Sequence, residues 1–122
     1  MGSHIDVREV AGAVDVRLCP RLPDELVKKV SMVIDIGADG RPIGVEILNL
    51  VAQVGDQALG KLGRVLPNQS DGLPGYSYDS SCDAFYLRLA SGRSAGQVPV
   101  LGDLFVNPVG HVVALLARFD RG

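Results

Sequence analysis

Residues 32–48 read Met-Val-Ile-Asp-Ile-Gly-Ala-Asp-Gly-Arg-Pro-Ile-Gly-Val-Glu-Ile-Leu, and this stretch has the pattern of a β-hairpin. Apolar residues alternate on both sides of residues 37–40, where Gly and Asp favour a turn. The pattern recurs, turn included, in residues 102–117, where Leu104 stands in the place of Ile34. Because the offset between matching positions stays constant at seventy residues, we interpret the two stretches as copies of one supersecondary unit.

The chain of 122 residues is long enough for one hydrophobic core and too short for two independent cores. The repeated hairpin therefore predicts a mainly β (α+β) fold, in which two homologous β-hairpin-containing repeats share one core, with one connecting helix. We expect a single domain covering residues 1–122. Its predicted parts are repeat one at residues 5–49, a connecting helix and loop at residues 50–75, and repeat two at residues 76–119.

In the first hairpin, a four-residue turn would pair Ile36 with Arg41 and Asp35 with Pro42. One face of this hairpin is then apolar throughout, and alternation with a period of two predicts that it faces the core. The residues of this face are Val30, Met32, Ile34, Ile36, Ile43, Val45 and Ile47.

The second hairpin is apolar on both faces. Its core face would carry Leu104, Val106, Val113, Leu115 and Ala117, and its other face Phe105, Val112, Ala114 and Leu116. Strands that are apolar on both sides need cover on both sides. We therefore expect the connecting helix over one face and a partner chain over the other, so the protein is predicted to be a homodimer or to bind a small protein partner.

The connecting helix is predicted at residues 50–66, the one segment with helical spacing of apolar residues. Three glycines in this segment weaken the prediction, because each costs up to ~1 kcal/mol relative to alanine. The loop that follows, residues 67–75, is rich in Pro, Asn and Gly and is the expected seam between the repeats.

Composition limits the function classes. Apolar residues make up 47% of the chain and the net charge is −2, which argues against a disordered chain and against a nucleic-acid-binding protein. No apolar run reaches the ~20 residues of a membrane span, and the first residues lack signal-peptide features, so we expect a soluble cytoplasmic protein. Cys19 and Cys82 lack metal-site spacing, which predicts reduced, partly buried thiols and neither a metal nor a cofactor.

Residues 78–89 contain Tyr-Asp, three further residues, and Asp-Ala-Phe-Tyr-Leu-Arg-Leu. They resemble the opening of a small bacterial and archaeal family of unknown function, whose pattern continues with a strand, an Asp-x-Asp-Gly turn and Ile-x-Gly-Ile-Glu-Ile-Leu. Residues 33–48 match that closing half, whereas the second repeat has Ala-Leu-Leu at residues 114–116 in place of Gly-Ile-Glu. The resemblance implies a short β domain, and an interaction role because some members are found beside toxin-like partners.

The candidate catalytic residues are Glu46, Asp35 and His111. Glu46 lies in the middle of a strand among apolar neighbours, where a carboxylate could act as a general base; the alternative is a half-solvated residue that bonds a neighbouring strand. With Asp35 opposite Pro42, the two carboxylates would be ~13 Å apart and a poor acid–base pair. His111 follows the second turn, as Arg41 follows the first, and both are also explained as polar turn residues.

The candidate ligand-binding residues are Tyr78, Asp79, Asp83 and Tyr86. The two tyrosines could line a pocket, although tyrosines at strand starts are often core edges with a solvated hydroxyl. The two aspartates could bind a ligand or could cap a turn through the local backbone.

Two functions remain open from the sequence. The first is a small soluble protein-interaction module that self-associates. The second is a small cofactor-free enzyme or small-molecule binder that uses acid–base chemistry at Glu46. A flat exposed apolar face would favour the first function, and a concave pocket containing Glu46 would favour the second.

Overall fold

The computed structural model of the protein describes residues 6–10, 12–18, 24–55, 75–79 and 81–119. These residues form one curled antiparallel sheet of eight strands and one short helix, which confirms the mainly β prediction. In chain order the elements are β1 (Asp6–Val10), β2 (Ala13–Arg17), β3 (Leu26–Gly37), β4 (Pro42–Leu48), α1 (Leu50–Val54), β5 (Gly75–Asp79), β6 (Ala84–Arg88), β7 (Ser94–Val106) and β8 (Val112–Arg118).

The strand order is β1-β2-β8-β7-β3-β4-β6-β5, and it is symmetric about the central β7–β3 pair. Each strand of the first half (residues 6–55) has a counterpart in the second half (residues 75–119), four strands later in the chain. The registers agree as well, because Ile34 lies opposite Val45 in one hairpin and Leu104 opposite Leu115 in the other. That the halves are homologous copies stays a prediction, since a symmetric topology does not by itself establish a duplication.

The two halves interlock. Strand β2 of the first half pairs with β8, and β6 of the second half pairs with β4. The long strands β3 and β7 pair over their whole length, from Leu26 opposite Val106 to Gly37 opposite Ser94. Neither half therefore has a complete sheet without the other.

The first hairpin closes one residue earlier than predicted. The Gly37 N–H donates to the Arg41 carbonyl at 2.8 Å, and the Gly40 N–H donates to the Gly37 carbonyl at 2.9 Å. Gly40 has φ 86°, in the left-handed region that glycine adopts without steric cost. The loop thus has three residues, and the predicted pairing of Ile36 with Arg41 is wrong because Gly37 takes that place.

A β-bulge then shifts the register of β4 by a further residue. Ile36 lies opposite Pro42 while Asp35 lies opposite Gly44, so Ile43 is the extra residue. The prediction that Asp35 pairs with Pro42 is therefore wrong. The total shift is two residues from Gly44 onwards, which leaves these side chains on their predicted faces because faces alternate with a period of two. Pro42 is different, because it lies opposite Ile36 and so shares the face of that residue.

The core is one continuous cluster that contains residues of both halves. It consists of Val14, Val16, Leu18, Val30, Met32, Ile34, Val45, Ile47, Leu50, Tyr76, Phe85, Leu87, Leu104, Val106, Val112, Leu115 and Ala117. The placement of Val112 on the outer face is wrong, because the bulge between Phe105 and Val106 turns it into this cluster. Phe105 and Leu116 are half-buried.

Helix α1 lies at the end of β4 and is held by side chains from other elements. Leu50 enters the core with 1% of its surface exposed. The side-chain amide of Gln53 accepts a hydrogen bond from the Ser31 N–H at 3.0 Å and donates one to the Leu48 carbonyl at 2.8 Å. This amide continues the β3–β4 ladder at the point where the two strands separate.

The helix is shorter than the sequence predicts. It ends at Val54, and Gly55 follows with φ 108°, a conformation outside the helical region. The predicted continuous helix over residues 50–66 is therefore wrong, because the first of the glycines in this segment ends it. Residues 56–74, which include the rest of that segment and most of the predicted loop, lie outside the described residues.

Among the described residues, no helix has the length and apolar character needed to cross a membrane. Within the same part of the chain, no group of three or more His, Cys, Asp or Glu side chains could hold a metal ion.

Candidate functional site

A polar cluster lies on the outer face of the sheet, the side that points away from the core. The Tyr86 hydroxyl of β6 donates to Asp35 Oδ2 of β3 at 3.0 Å. Gln97 of β7 donates through Nε2 to Asp35 Oδ1 at 2.9 Å. The Asp35 carboxylate thus joins three strands, and both of its oxygens accept a hydrogen bond.

Gly44 makes this cluster possible. Tyr86 and Asp35 lie on strands that flank β4, so the Tyr86 side chain must cross β4 to reach Asp35. It crosses at Gly44, where an added Cβ would clash with the Tyr86 hydroxyl and would lie 2.6 Å from Cζ. Only a residue without a side chain leaves this path open.

The environment of Tyr86 favours its neutral form. Burial, the hydrogen bond to Asp35 and the negative charge of Asp35 raise the pKa of Tyr86 to about 12. The nearby Arg88 acts in the opposite direction, and Glu46 acts in the same direction as Asp35. Tyr86 is therefore a hydrogen-bond donor at neutral pH and is unsuited to act as a base.

Glu46 lies beside this cluster, directly opposite Tyr86 on β6 and opposite Val33 on β3. Its side chain is half-buried, and no hydrogen bond or ion pair joins it to another described residue. It is the only charged residue among those that line a shallow cleft of ≈ 350 Å³ on the outer face. The lining residues are Ser31, Met32, Val33, Glu46, Leu48, Pro99, Val100 and Leu101.

The observed register brings the two carboxylates closer than predicted. Asp35 lies opposite Gly44, so Asp35 and Glu46 are diagonal neighbours across adjacent strands. Such neighbours are about 7–8 Å apart, and the predicted ~13 Å separation is wrong because it rested on the shifted register. Asp35 nonetheless accepts hydrogen bonds from Tyr86 and Gln97, whereas no described residue donates one to Glu46.

Asp83 and Tyr78 form a second group, at the N-terminus of α1. Asp83 Oδ1 accepts from the Tyr78 hydroxyl at 2.7 Å and from the Val51 N–H at 2.9 Å, while Oδ2 accepts from the Ala52 N–H at 3.1 Å. Burial acts to raise the pKa of the Asp83 carboxyl, but these hydrogen bonds outweigh it and hold the pKa below its usual value. This arrangement caps the helix.

The same group raises the pKa of Tyr78 to about 12, chiefly through burial and then through its hydrogen bond to Asp83. Asp79 caps its own turn, because its Oδ1 accepts from both the hydroxyl and the backbone N–H of Ser81, at 2.6 Å and 3.0 Å. These hydrogen bonds lower the pKa of Asp79. Of the four predicted ligand-binding residues, three therefore have local hydrogen-bonding partners here and the fourth, Tyr86, belongs to the outer-face cluster.

The structure does not bring His111 to either group. It follows the β7–β8 turn, and its backbone N–H donates to Asn107 Oδ1 at 2.9 Å. That turn adjoins the Leu26 end of β3, whereas Glu46 lies opposite Val33. Seven residues of extended strand separate the two positions along β3, or about 23 Å.

Cys82 is exposed, so the prediction of a partly buried thiol is wrong for this residue. It lies in the turn between β5 and β6. Cys19 lies outside the described residues.

Two residues of the outer-face cluster were missed by sequence reasoning. Gln97 directly follows a Gly- and Ser-rich stretch, residues 90–96, whose composition predicts a loop, although β7 already begins at Ser94. Gly44 carried a usable signal, because a glycine inside a strand marks close approach by another group.

No protein-family model matches the chain, and comparisons with curated proteins and with solved structures found no similar protein. The resemblance to the small bacterial and archaeal family stays a prediction.

Proposed function

We propose that the protein is a small self-associating interaction module and that its contact surface is the centre of the outer face. The observation that carries this proposal is the outer patch, which we define as Val27, Val33, Leu48, Pro99 and Leu101. Large apolar side chains here are exposed to solvent: Leu101 by 66%, Val27 by 54% and Leu48 by 46%. Single exposed apolar residues are common on protein surfaces, but adjoining ones mark contact sites.

Four members of the outer patch adjoin each other, because Val33, Leu48, Pro99 and Leu101 all line the same cleft as Glu46. The cleft therefore offers apolar walls and one carboxylate without a described partner. A cationic side chain with an aliphatic stem matches this chemistry, since its stem would contact the walls and its charge would pair with Glu46.

The chain itself carries such a side chain in a fitting place. Arg118 is exposed at the end of β8, and β8 is the counterpart of β4 in the other half of the sheet. A second copy, placed face to face and rotated by 180° about an axis parallel to β3, brings its Arg118 over Leu48 and within reach of Glu46. The same rotation places Leu101 of one copy over the small Ser31 of the other.

The charges at the centre of the face agree with this arrangement. Lys29 and Asp103 lie opposite each other on β3 and β7, with Nζ 2.5 Å from Oδ1. The rotation brings Lys29 of each copy over Asp103 of the other, so that unlike charges meet. Such twofold contacts use one patch twice and are the commonest form of homodimer.

The alternative function, acid–base catalysis at Glu46, has weaker support. Its carboxylate accepts no hydrogen bond from a described residue and has a cleft beside it. However, Asp35 is hydrogen-bonded to Tyr86 and Gln97, and His111 is far away along the sheet. The residues described around Glu46 thus supply no second group free to act as acid. The position of the Glu46 carboxylate beside the cleft instead suits an ion pair with a cationic group of a partner.

Sedimentation equilibrium at micromolar concentration tests the proposal with a matched pair of variants. We expect the wild-type chain to be a dimer and Leu101→Asp to be a monomer, because the change buries a charge at the centre of the contact. Val109→Asp is the control, since Val109 is equally exposed at 62% but lies in the β7–β8 turn. A monomeric wild-type chain would contradict the proposal.

A charge exchange tests the orientation of the two copies. Glu46→Arg and Arg118→Glu should each weaken association, and the double variant should restore it because the pair is reversed. If the double variant is as weak as the single variants, the face-to-face arrangement is wrong even when Leu101→Asp dissociates the dimer.

A further inference from the structure

A second cleft, of ≈ 630 Å³, lies at one end of the curled sheet and away from the outer patch. Its walls include Val7 and Val14 on the first two strands and Ile43 and Leu89 on the other side. The volume lies within the range of about 300–1,000 Å³ that is typical of small-molecule sites. An apolar wall on each side suits a flat apolar ligand.

The symmetry of the sheet explains where this cleft comes from. In the β1–β2 hairpin, Val7 lies opposite Val16 and Glu9 opposite Val14. In the β5–β6 hairpin, Tyr76 lies opposite Leu87 and Tyr78 opposite Phe85. The residue pairs of the two hairpins correspond one to one in register, so Val7 matches Tyr76 and Val14 matches Phe85.

The matching residues fill space very differently. Tyr76 and Phe85 stack with ring centroids 6.2 Å apart, and they are 7% and 1% exposed. Val7 and Val14 carry no rings at the equivalent places, and both line the cleft. Val7 is half-buried, whereas Val14 is 0% exposed and belongs to the core, so the cleft opens where the second half has the Tyr76 ring.

The rim of the cleft adds charged groups. Arg41 is held by Glu9, with Nη2 2.9 Å from Oε1, which neutralises that carboxylate and links β1 to the β3–β4 turn. Asp39 Oδ1 accepts from the Arg41 N–H at 3.1 Å. Arg93, in the loop before β7, forms no hydrogen bond or ion pair with any described residue. An arginine whose guanidinium group has no such partner can bind a carboxylate through two parallel hydrogen bonds.

We propose that this cleft binds a small aromatic carboxylate. The ring system lies between the two apolar walls, in the space that corresponds to the Tyr76 ring, and the carboxylate pairs with Arg93. The proposal is independent of self-association, because none of the residues of the outer patch lines this cleft.

Titration of the full chain with 1-naphthylacetate, followed by ligand fluorescence and by protein NMR, tests the proposal. Its neutral analogue 1-naphthylacetamide has nearly the same shape and isolates the contribution of charge. We expect the carboxylate to bind at least tenfold more tightly than the amide, because a charged hydrogen-bonded pair contributes about this much. Arg93→Gln should remove the difference by weakening binding of the carboxylate alone.

A second pair of variants tests the location. Val7→Tyr introduces the residue of the other half and should lower the affinity for 1-naphthylacetate at least tenfold by filling the cleft. Val10→Tyr adds the same side chain to the same strand at a position that is 58% exposed and outside the cleft, and should leave the affinity unchanged. The proposal is overturned if 1-naphthylacetate fails to bind at millimolar concentration, if the amide binds equally well, or if Val7→Tyr binds as the wild type does.

Discussion

At the scale of single residues, the outer face depends on one glycine. Gly44 allows the Tyr86 side chain to cross β4 and reach Asp35, which in turn accepts from Gln97. Four strands are tied together by these contacts, since Tyr86 belongs to β6, Asp35 to β3 and Gln97 to β7, with β4 beneath the tyrosine ring. A polar network that is satisfied in this way specifies a single arrangement of its side chains.

Gly44→Ala should therefore destabilise the protein by about 1–3 kcal/mol, because the new methyl group overpacks the site and displaces Tyr86. Chemical denaturation measures this change, and a spectrophotometric titration should show the pKa of Tyr86 falling from about 12 towards its ordinary value. Gly96→Ala is the matched control, since an added Cβ there meets no atom within 4 Å. Equal stability of the two variants would contradict the role of Gly44.

The two tyrosine hydroxyls also predict the response of stability to alkaline pH. Tyr78 and Tyr86 have pKa values raised to about 12 in the folded chain, against about 10 for an unfolded chain. The folded state thus retains these protons longer, so their contribution to stability is present below pH 10 and is lost as the pH rises towards 12. Thermal unfolding at pH 8, 10 and 11.5 should show a falling unfolding temperature. In the double variant that carries Tyr78→Phe and Tyr86→Phe, the unfolding temperature should fall less over the same pH range.

At the scale of elements, α1 shows how tertiary contacts support a segment that cannot be helical alone. Its five residues are far fewer than the 12–15 or so that an isolated helix needs. The Asp83 carboxylate caps its N-terminus from the β5–β6 turn, and Gln53 ties it to the end of the β3–β4 ladder. Leu50 then places the helix against the core.

Asp83→Ala should destabilise the chain by about 1–2 kcal/mol, as the loss of a helix cap typically does. Asp83→Asn should cost less, because asparagine keeps one acceptor oxygen and tolerates the left-handed backbone found here, with φ 55°. The carboxyl pKa is held below its usual value, so its contribution is present above about pH 4 and is lost as the pH falls below that. Chemical denaturation at pH 7 and pH 3 tests this. The difference in free energy of unfolding between the wild type and Asp83→Ala should be smaller at pH 3, and an equal difference at both pH values would contradict the role of Asp83 as a cap.

At the scale of the whole molecule, the two halves share one core because each completes the sheet of the other. Ile34 and Leu104 occupy matching positions in the central strands, and each is 0% exposed. The cluster that contains them runs through both halves without a break. Cooperative unfolding of the whole chain follows from this arrangement.

Ile34→Ala and Leu104→Ala should each lower the free energy of unfolding by about 2–5 kcal/mol, because each leaves a cavity in the shared core. Fluorescence of the tyrosines and far-ultraviolet circular dichroism should report one unfolding transition at the same denaturant concentration for each variant. Two separate transitions would show that the halves unfold independently and that the core is not shared.

The sequence by itself determined the fold class and the face on which most strand residues lie. Alternation is a local property with a period of two, so the predicted core face of the first hairpin survived a register shift of two residues. Pro42 and Val112 were exceptions because each lies at a bulge, which is not visible in the alternation and which pairs them with Ile36 and Val106 of the core face. Asp35 and Glu46 were placed on one face for the same local reason.

Only the tertiary structure decided the neighbours of these residues. The partner of Asp35 across the sheet depends on how the turn closes and on the pairing of β3 with β7, contacts between residues far apart in the chain. The end of α1 depended on which of several glycines would leave the helical region, and Gly55 did so first. The alternation of apolar and polar residues specifies a face because it acts within one strand. Register, caps and clefts depend on contacts between strands that are far apart in the sequence, so no single stretch of sequence specifies them.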